Sequence, residues 1–370
     1  MKNKLTLDIN KSIAGVFLII PFSYSTIAGF RVVLIATLLL FISFLIRGGI
    51  VKVTTDFLLF TLNALVVFYL SIYSANHNEF FAFLLFFIFL YWPHFIKGKA
   101  INVNNMSRFI KLYAYSALFC SCGVICQSLL YNKFGIEFGK IDTYLNRTGF
   151  GFLWLDYSFL SLYLASSIPL IFREKMKFKY FFSLIIIIGS ITTTARTGLF
   201  ALVISMLFLS FAGFFSSLLK AKVKKNDFIM ICLAFILIST VVLLWGSYSN
   251  RELTISGSGR FEGYLHAFNV FIDSPYLGYS YDVVAYKALF GAVPHNIFLY
   301  TMVFSGIMGI FLLLLWFLFI FIRLRFIDSY FKLCLISIFI GLQFIPSFYS
   351  GYFIALILSL SILSLEHEKK

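Results

Sequence analysis

Long apolar runs recur from one end of the chain to the other, and they decide what it can fold into. They lie at about 12–30, 31–46, 56–74, 80–96, 109–131, 152–172, 178–194, 197–219, 228–246, 296–322, 330–346 and 350–365. A helix needs roughly 20 apolar residues to cross a hydrocarbon core about 30 Å thick. Only helices and closed barrels satisfy their own backbone polar groups in lipid, and these runs lack the period-two alternation of barrel strands. With 61% hydrophobic and 12% charged residues, the chain has too little polar surface to be a soluble globular domain. The expected fold class is an all-α polytopic membrane protein of about 12 transmembrane helices, a single transmembrane domain over residues 1–370.

The formal charge of +15 would suit nucleic acid, but the basic residues stand in short clusters between apolar runs. That is a topology signal, and no nucleic-acid partner is expected. With a cytoplasmic N-terminus, 22 of the 30 Lys and Arg fall on the cytoplasmic side. Arg31, Lys133, Lys140, Arg147, Arg196, Arg251, Arg260 and Lys287 fall outside. Both termini are therefore expected in the cytoplasm. Lys2, Lys4 and Lys11 precede the first run without an A-x-A-like site, which reads as an uncleaved first helix. Cys120, Cys122, Cys126, Cys232 and Cys334 all sit inside apolar runs, an odd buried set without disulfide logic.

Two connections are long, and both are external: 132–151, and 247–295 between the ninth and tenth helices. Within the larger one, residues 260–273 have helical periodicity, with Phe261, Leu265, Phe268 and Ile272 on one face and Glu262, His266, Asn269 and Asp273 on another. Such a helix is expected to lie in the membrane interface and to end at Ser274-Pro275.

Against a positive-inside bias, external arginines need a reason. Arg147 (N-R-T-G-F), Arg196 (T-A-R-T-G-L) and Arg260 (S-G-R-F-E-G) are each flanked by Gly, Ser or Thr, so that backbone can approach a ligand. A guanidinium fork matches phosphate oxygens bidentately. The alternative is contact with lipid headgroups or with acids such as Glu252 and Glu262. Arg31 and Arg251 read as interface anchors. His295 precedes Asn296, a good N-cap for the tenth helix, and the positive end of the helix dipole keeps its imidazole neutral and able to accept a proton. A plain interfacial histidine is the alternative. Gly306 and Gly309, with Ser305, form a small-residue stretch that lets another helix approach. His266 shares a face with Glu262 and would assist the site or hold a metal with it, but no H-x-x-x-H spacing exists, so no metal and no cofactor are expected.

At these residues the chain resembles the bacterial O-antigen polymerase and O-antigen ligase superfamily. The T-A-R-T-G-L turn at Arg196 resembles the family's S-R-T-G turn. Arg260 followed by S-P-Y-L-G at Ser274–Gly278 is similar to its Arg-then-P-x-x-G pattern. His295-Asn296 followed by Gly306 and Gly309 is similar to its H-N and G-x-x-G. The resemblance spans about 190–315 and implies a membrane glycosyltransferase acting on undecaprenyl-pyrophosphate-linked oligosaccharide at the periplasmic face of the bacterial inner membrane. It implies His295 as base, Arg196 and Arg260 as a pyrophosphate clamp, and Arg147 as an auxiliary contact. Membrane lipids, and possible contact with a chain-length regulator protein, complete the expected partners. The short chain and modest loop favour polymerase over ligase. A lipid-linked oligosaccharide flippase, a transporter, would want polar residues at mid-membrane depth, and the runs carry almost none. A metal-dependent dolichol-sugar type of transferase would want acids in the first external loop, which reads here as only G-F-R.

Overall fold

The computed structural model describes residues 9–27, 30–47, 53–74, 78–95, 103–144, 147–219, 260–347 and 349–368, together with the helical positions Cys232, Ile236 and Ser239. Of the described residues, 78% are helical, and the all-α expectation is met. In order, the helices are α1 (Ile9–Ile19), α2 (Val32–Arg47), α3 (Thr55–Ile72), α4 (Asn78–Phe95), α5 (Val103–Phe134), α6 (Tyr157–Arg173), α7 (Lys179–Thr192), α8 (Thr197–Leu219), α9 (Arg260–Asp273), α10 (Val283–Phe290), α11 (Ile297–Leu324), α12 (Ser329–Gly341) and α13 (Tyr352–Glu368). Among the described residues, four stretches are long and apolar enough to cross a membrane: Thr55–Ile72, Asn104–Phe134, Thr197–Phe214 and Ile297–Leu324. Shorter apolar helices accompany them, and large apolar side chains such as Leu38, Leu45, Phe181 and Phe311 are exposed. Water would penalise that surface and hydrocarbon does not, so the helices are compatible with a multi-pass membrane protein. The run at 228–246 and loop residues 247–259 lie outside the described residues, apart from the three positions named.

Two expectations are corrected. The first apolar run does not stay helical to residue 30. α1 passes into a 3-10 turn at Ile20–Phe22, where Pro21 removes a donor, and a two-residue strand at Thr26–Ile27 pairs with Phe30–Arg31. Residues 132–151 are not a plain loop. β1 (Lys140–Tyr144) and β2 (Arg147–Phe152) form an antiparallel hairpin with Thr143 opposite Thr148. Gln127 of α5 fastens it, donating to Lys140 O (3.1 Å) and accepting from Phe152 N (2.8 Å).

The described chain divides into two compact units. The first comprises residues 1–116, 258–328 and 342–370, and the second 117–257 and 329–341. In the first unit, α3 runs antiparallel to α11: Arg323 meets Asp56 at 2.8 Å, and Phe60 lies 4.7 Å from the Trp316 ring. Trp316 Nε1 donates to the Tyr91 hydroxyl (3.1 Å), which donates to Asp56 O (2.9 Å), tying α4 into the same end. These groups line a small cavity with Leu90, Ile327 and Ser361. Asp56 is fully buried and Arg323 partly so. D56A should strand the guanidinium. Its remaining exposure holds the cost to about 2 kcal/mol, below the roughly 3–5 kcal/mol of a fully buried pair. Thermal unfolding of the purified protein checks this.

The second unit packs α6 against α7, α8 and α12 through small residues. A Cβ on Gly198 would sit 2.0 Å from Ser161 O of α6 and one on Gly341 2.4 Å from Leu162 of α6, while one on Gly189 of α7 would sit 2.7 Å from Ser121 of α5. Buried serines return their hydroxyls to their own helix, Ser167 to Leu164 O (2.7 Å) and Ser205 to Ala201 O (2.6 Å). Close small-residue contact is how helices associate in lipid, where apolar burial drives little.

Candidate functional site

In the second unit, Arg196 stands where it was expected, in the four-residue turn between α7 and α8. The turn is held from below. Ser161 of α6 bonds Ser190 Oγ (2.9 Å), Ala195 O (3.1 Å) and Gly198 N (3.2 Å), while Thr193 Oγ1 donates to Ser190 O (2.7 Å) and accepts from Ala195 N (3.2 Å). Thr194 takes a left-handed φ of 60°, a strained choice for a β-branched residue. Arg196 is half-buried at the end of this frame. Arg147 opens β2, whose hairpin leads into α6. The glycines beside these arginines do not leave room for a ligand, as their sequence context suggested. Gly198 admits the α6 backbone and Gly149 the Tyr157 ring at 3.1 Å.

In the first unit, α11 begins directly after His295. Asn296 is its N-cap, accepting from Phe298 N (2.9 Å) and Leu299 N (3.1 Å), while its amide donates to Gln343 Oε1 (3.0 Å). His295 is half-buried, and its backbone carbonyl accepts the Tyr264 hydroxyl at 3.1 Å. Tyr264 belongs to α9, whose bounds match the amphipathic segment read from the sequence. Arg260 is the first residue of that helix, one turn before Tyr264 on the same face. Leu265, Phe268 and Ile272 are exposed, and so are Glu262 and His266, which form no metal cluster; among the described residues no group of three metal-ligating side chains occurs.

Gly306 does something the sequence did not disclose. It does not seat another helix. It breaks α11, at φ 61° and ψ −158°, and the loop 275–278 enters the break. Ile307 N donates to Pro275 O (2.8 Å) instead of to Val303 O. The freed carbonyls of Val303 and Phe304 accept Tyr279 N (2.7 Å) and Tyr281 N (3.2 Å). Two glycines make this possible reciprocally: a Cβ on Gly306 would meet Tyr276 O at 2.2 Å, and one on Gly278 (φ 57°) would meet Val303 O at 2.2 Å. Gly309 lies against Ser305, whose hydroxyl bonds Thr301 O (2.8 Å). The run from Ile307 to Leu324 is about 27 Å long, near the thickness of a hydrocarbon core.

One turn inward from Asn296 on α11, the Tyr300 hydroxyl faces Glu79, in the first turn of α4. Ser347 also donates to this carboxylate, at 3.4 Å. Tyr281, Tyr349 and Asn63 continue the polar cluster inward, and all three are buried. Burial pushes the Tyr281 phenol up to about 12, so it stays a donor at neutral pH. The hydroxyls of Tyr281 and Tyr300 and both amide atoms of Asn63 are buried without a hydrogen bond of ordinary geometry. Asn63 lies about 10 Å along α3 from Asp56, so the interior is not as free of polar groups as the apolar runs suggested. Glu79 was passed over because it opens a Phe-rich run; a lone acid at that position was the available signal.

No family model and no curated protein matches the chain.

Proposed function

We propose that the protein is a membrane glycosyltransferase that polymerises undecaprenyl-pyrophosphate-linked oligosaccharide repeat units on the outer face of a bacterial inner membrane. The twelve-span topology and cytoplasmic termini belong to the same reading. The observation that carries it is the hydrogen bond from Tyr264 to His295 O, which sets the helix begun by Arg260 against the capped start of α11. An imidazole at that N-terminus is held neutral by the helix dipole and can take a proton from an acceptor sugar hydroxyl. A guanidinium stabilises the charge that grows on the departing diphosphate more than the charge already present in the donor. The resemblance also implies Arg196 and Arg147 as diphosphate contacts, and the hydrogen-bonded frame beneath Arg196 supports a role that needs a fixed guanidinium.

R196K should lose about 10²-fold or more in polymer formation, because an ammonium cannot reproduce the bidentate fork. Gel ladders at equal membrane levels check it, and full-length ladders from R196K would remove the clamp assignment. Transfer by purified protein should persist in EDTA; its loss there would favour a metal-dependent transferase. Lipid flipping without glycosyl transfer in proteoliposomes would favour the transporter reading, for which the buried Asn63 and Tyr349 with the half-buried Glu79 are the relevant observation.

A further inference from the structure

The second unit carries a charged surface that the transfer reaction does not use. α6 ends in a turn where Lys175 N donates to Phe172 O (3.1 Å) and Met176 N to Ile171 O (3.3 Å). This pair of bonds commonly closes a helix with glycine in the left-handed position; here, at φ 48°, Lys175 fills it. Met176 is buried under the turn, and Lys175 and Lys177 on either side of it are exposed. Basic and aromatic side chains then follow one another through Phe178, Lys179, Tyr180 and Phe181. The three aromatic residues are exposed and Lys179 is half-buried. Lys177 Nζ lies over the Phe178 ring, 5.4 Å from its centroid, and Lys179 Nζ over those of Tyr180 (5.1 Å) and Phe172 (5.6 Å). Tyr330, at the start of α12, stacks on Phe172 and is exposed as well.

The charge of this turn is not neutralised within the protein. Among the described residues, none of the three lysines has an ion-pair partner. The one acid of the turn, Glu174, is paired with Arg173 at 2.5 Å and its side chain is only 7% exposed. The turn also begins an unusually short apolar helix. α7 has 14 residues, about 21 Å of length against a hydrocarbon core of about 30 Å. A span that short is accommodated by flanking side chains that reach to the headgroups. Lysine stems do so, and aromatic rings favour the same depth. Near an anionic membrane surface each lysine strengthens binding about fivefold.

We propose that residues 175–181 form a binding surface for anionic phospholipid headgroups. Lys175, Lys177 and Lys179 hold the phosphate, while Phe178, Tyr180 and Phe181 lie at the boundary between headgroups and acyl chains. The leaflet is the cytoplasmic one, and for that side alone the inference rests on the topology proposed above.

The test is a lipid titration of the full-length protein in a neutral detergent, followed by thermal unfolding. Phosphatidylglycerol should raise the melting temperature of the wild type, and phosphatidylcholine should not. Glycerol phosphate, the same anion without acyl chains, should not raise it either. K175Q/K177Q/K179Q should need about 10²-fold more phosphatidylglycerol for the same shift, and K175R/K177R/K179R should behave as wild type. K175G/K177Q/K179Q removes the same charges while giving the left-handed position the residue that suits it, so a folding defect cannot explain its loss of response. An equal response to phosphatidylglycerol in the wild type and both uncharged variants would overturn the inference. So would a response of the same size to phosphatidylcholine or to glycerol phosphate. Labelling of a K177C variant in intact cells by a membrane-impermeant maleimide would overturn the topology and the leaflet named, a result distinct from the titration.

Discussion

Alanine at His295 is expected to lower polymer formation by about 10²–10⁴-fold, the usual contribution of a positioned general base, without lowering the amount of protein in the membrane. The two effects separate because the structural contacts at this position do not need the imidazole. Tyr264 donates to the His295 backbone carbonyl, and the α11 cap is the Asn296 side chain. Alanine preserves both. N296A should behave in the opposite manner: it removes the cap at a cost of about 1 kcal/mol and leaves Gln343 without its amide donor, so melting temperature falls together with activity. Wild-type rate should rise with pH as the imidazole loses its proton, whereas residual H295A activity should not follow that limb. Ladders of wild-type length from H295A, at wild-type membrane levels, would remove histidine from the chemistry.

How much of this was legible depended on whether a feature had a local marker. α9 was readable to its last residue, because its periodicity is strict and Ser274-Pro275 forbids continuation. Asn296 was readable because N-caps have few acceptable residues. Arg196 was readable as a tight turn between two apolar runs. The α11 break was not, because Gly306 lies in a helix that is otherwise strongly apolar, and its partner is the loop backbone of residues about thirty positions earlier. A small residue in such a run has the same local sequence whether it seats a helix or a loop. The hairpin at 140–152 was missed for a related reason: its attachment is a single buried Gln127 in the helix before it. Glu79 shows the limit of hydropathy. One carboxylate at the edge of a Phe-rich segment barely changes the average, yet it is half-buried against Tyr300 and Ser347.

Alanine at Gly306 should be the most damaging conservative substitution in the first unit, and its effect should appear in folding before chemistry. Two penalties coincide there. The φ of 61° with ψ of −158° belongs to a region open essentially to glycine, at about 1–3 kcal/mol for any other residue. The added methyl would also lie 2.2 Å from Tyr276 O and 2.7 Å from Pro275 O, both backbone atoms that cannot rotate away. Restoring a regular helix at 306 would relieve the strain, but it would return Val303 O to Ile307 N and evict Tyr279 N and Pro275 O from their partners. Each orphaned buried backbone group costs about 1–3 kcal/mol in water and more in lipid. Either route therefore costs on the order of 3 kcal/mol or more, a large share of the roughly 5–15 kcal/mol that holds a typical domain together. G278A should reproduce the loss from the loop side, where the methyl would strike Val303 O. G263A is the control, since a Cβ there meets nothing within 4 Å, and alanine in a helix should leave stability unchanged or raise it by up to about 1 kcal/mol. Thermal unfolding and membrane abundance of the three variants decide the matter. A G306A protein as stable as G263A would mean that α11 runs unbroken through residue 306 and that the loop 275–278 does not enter it.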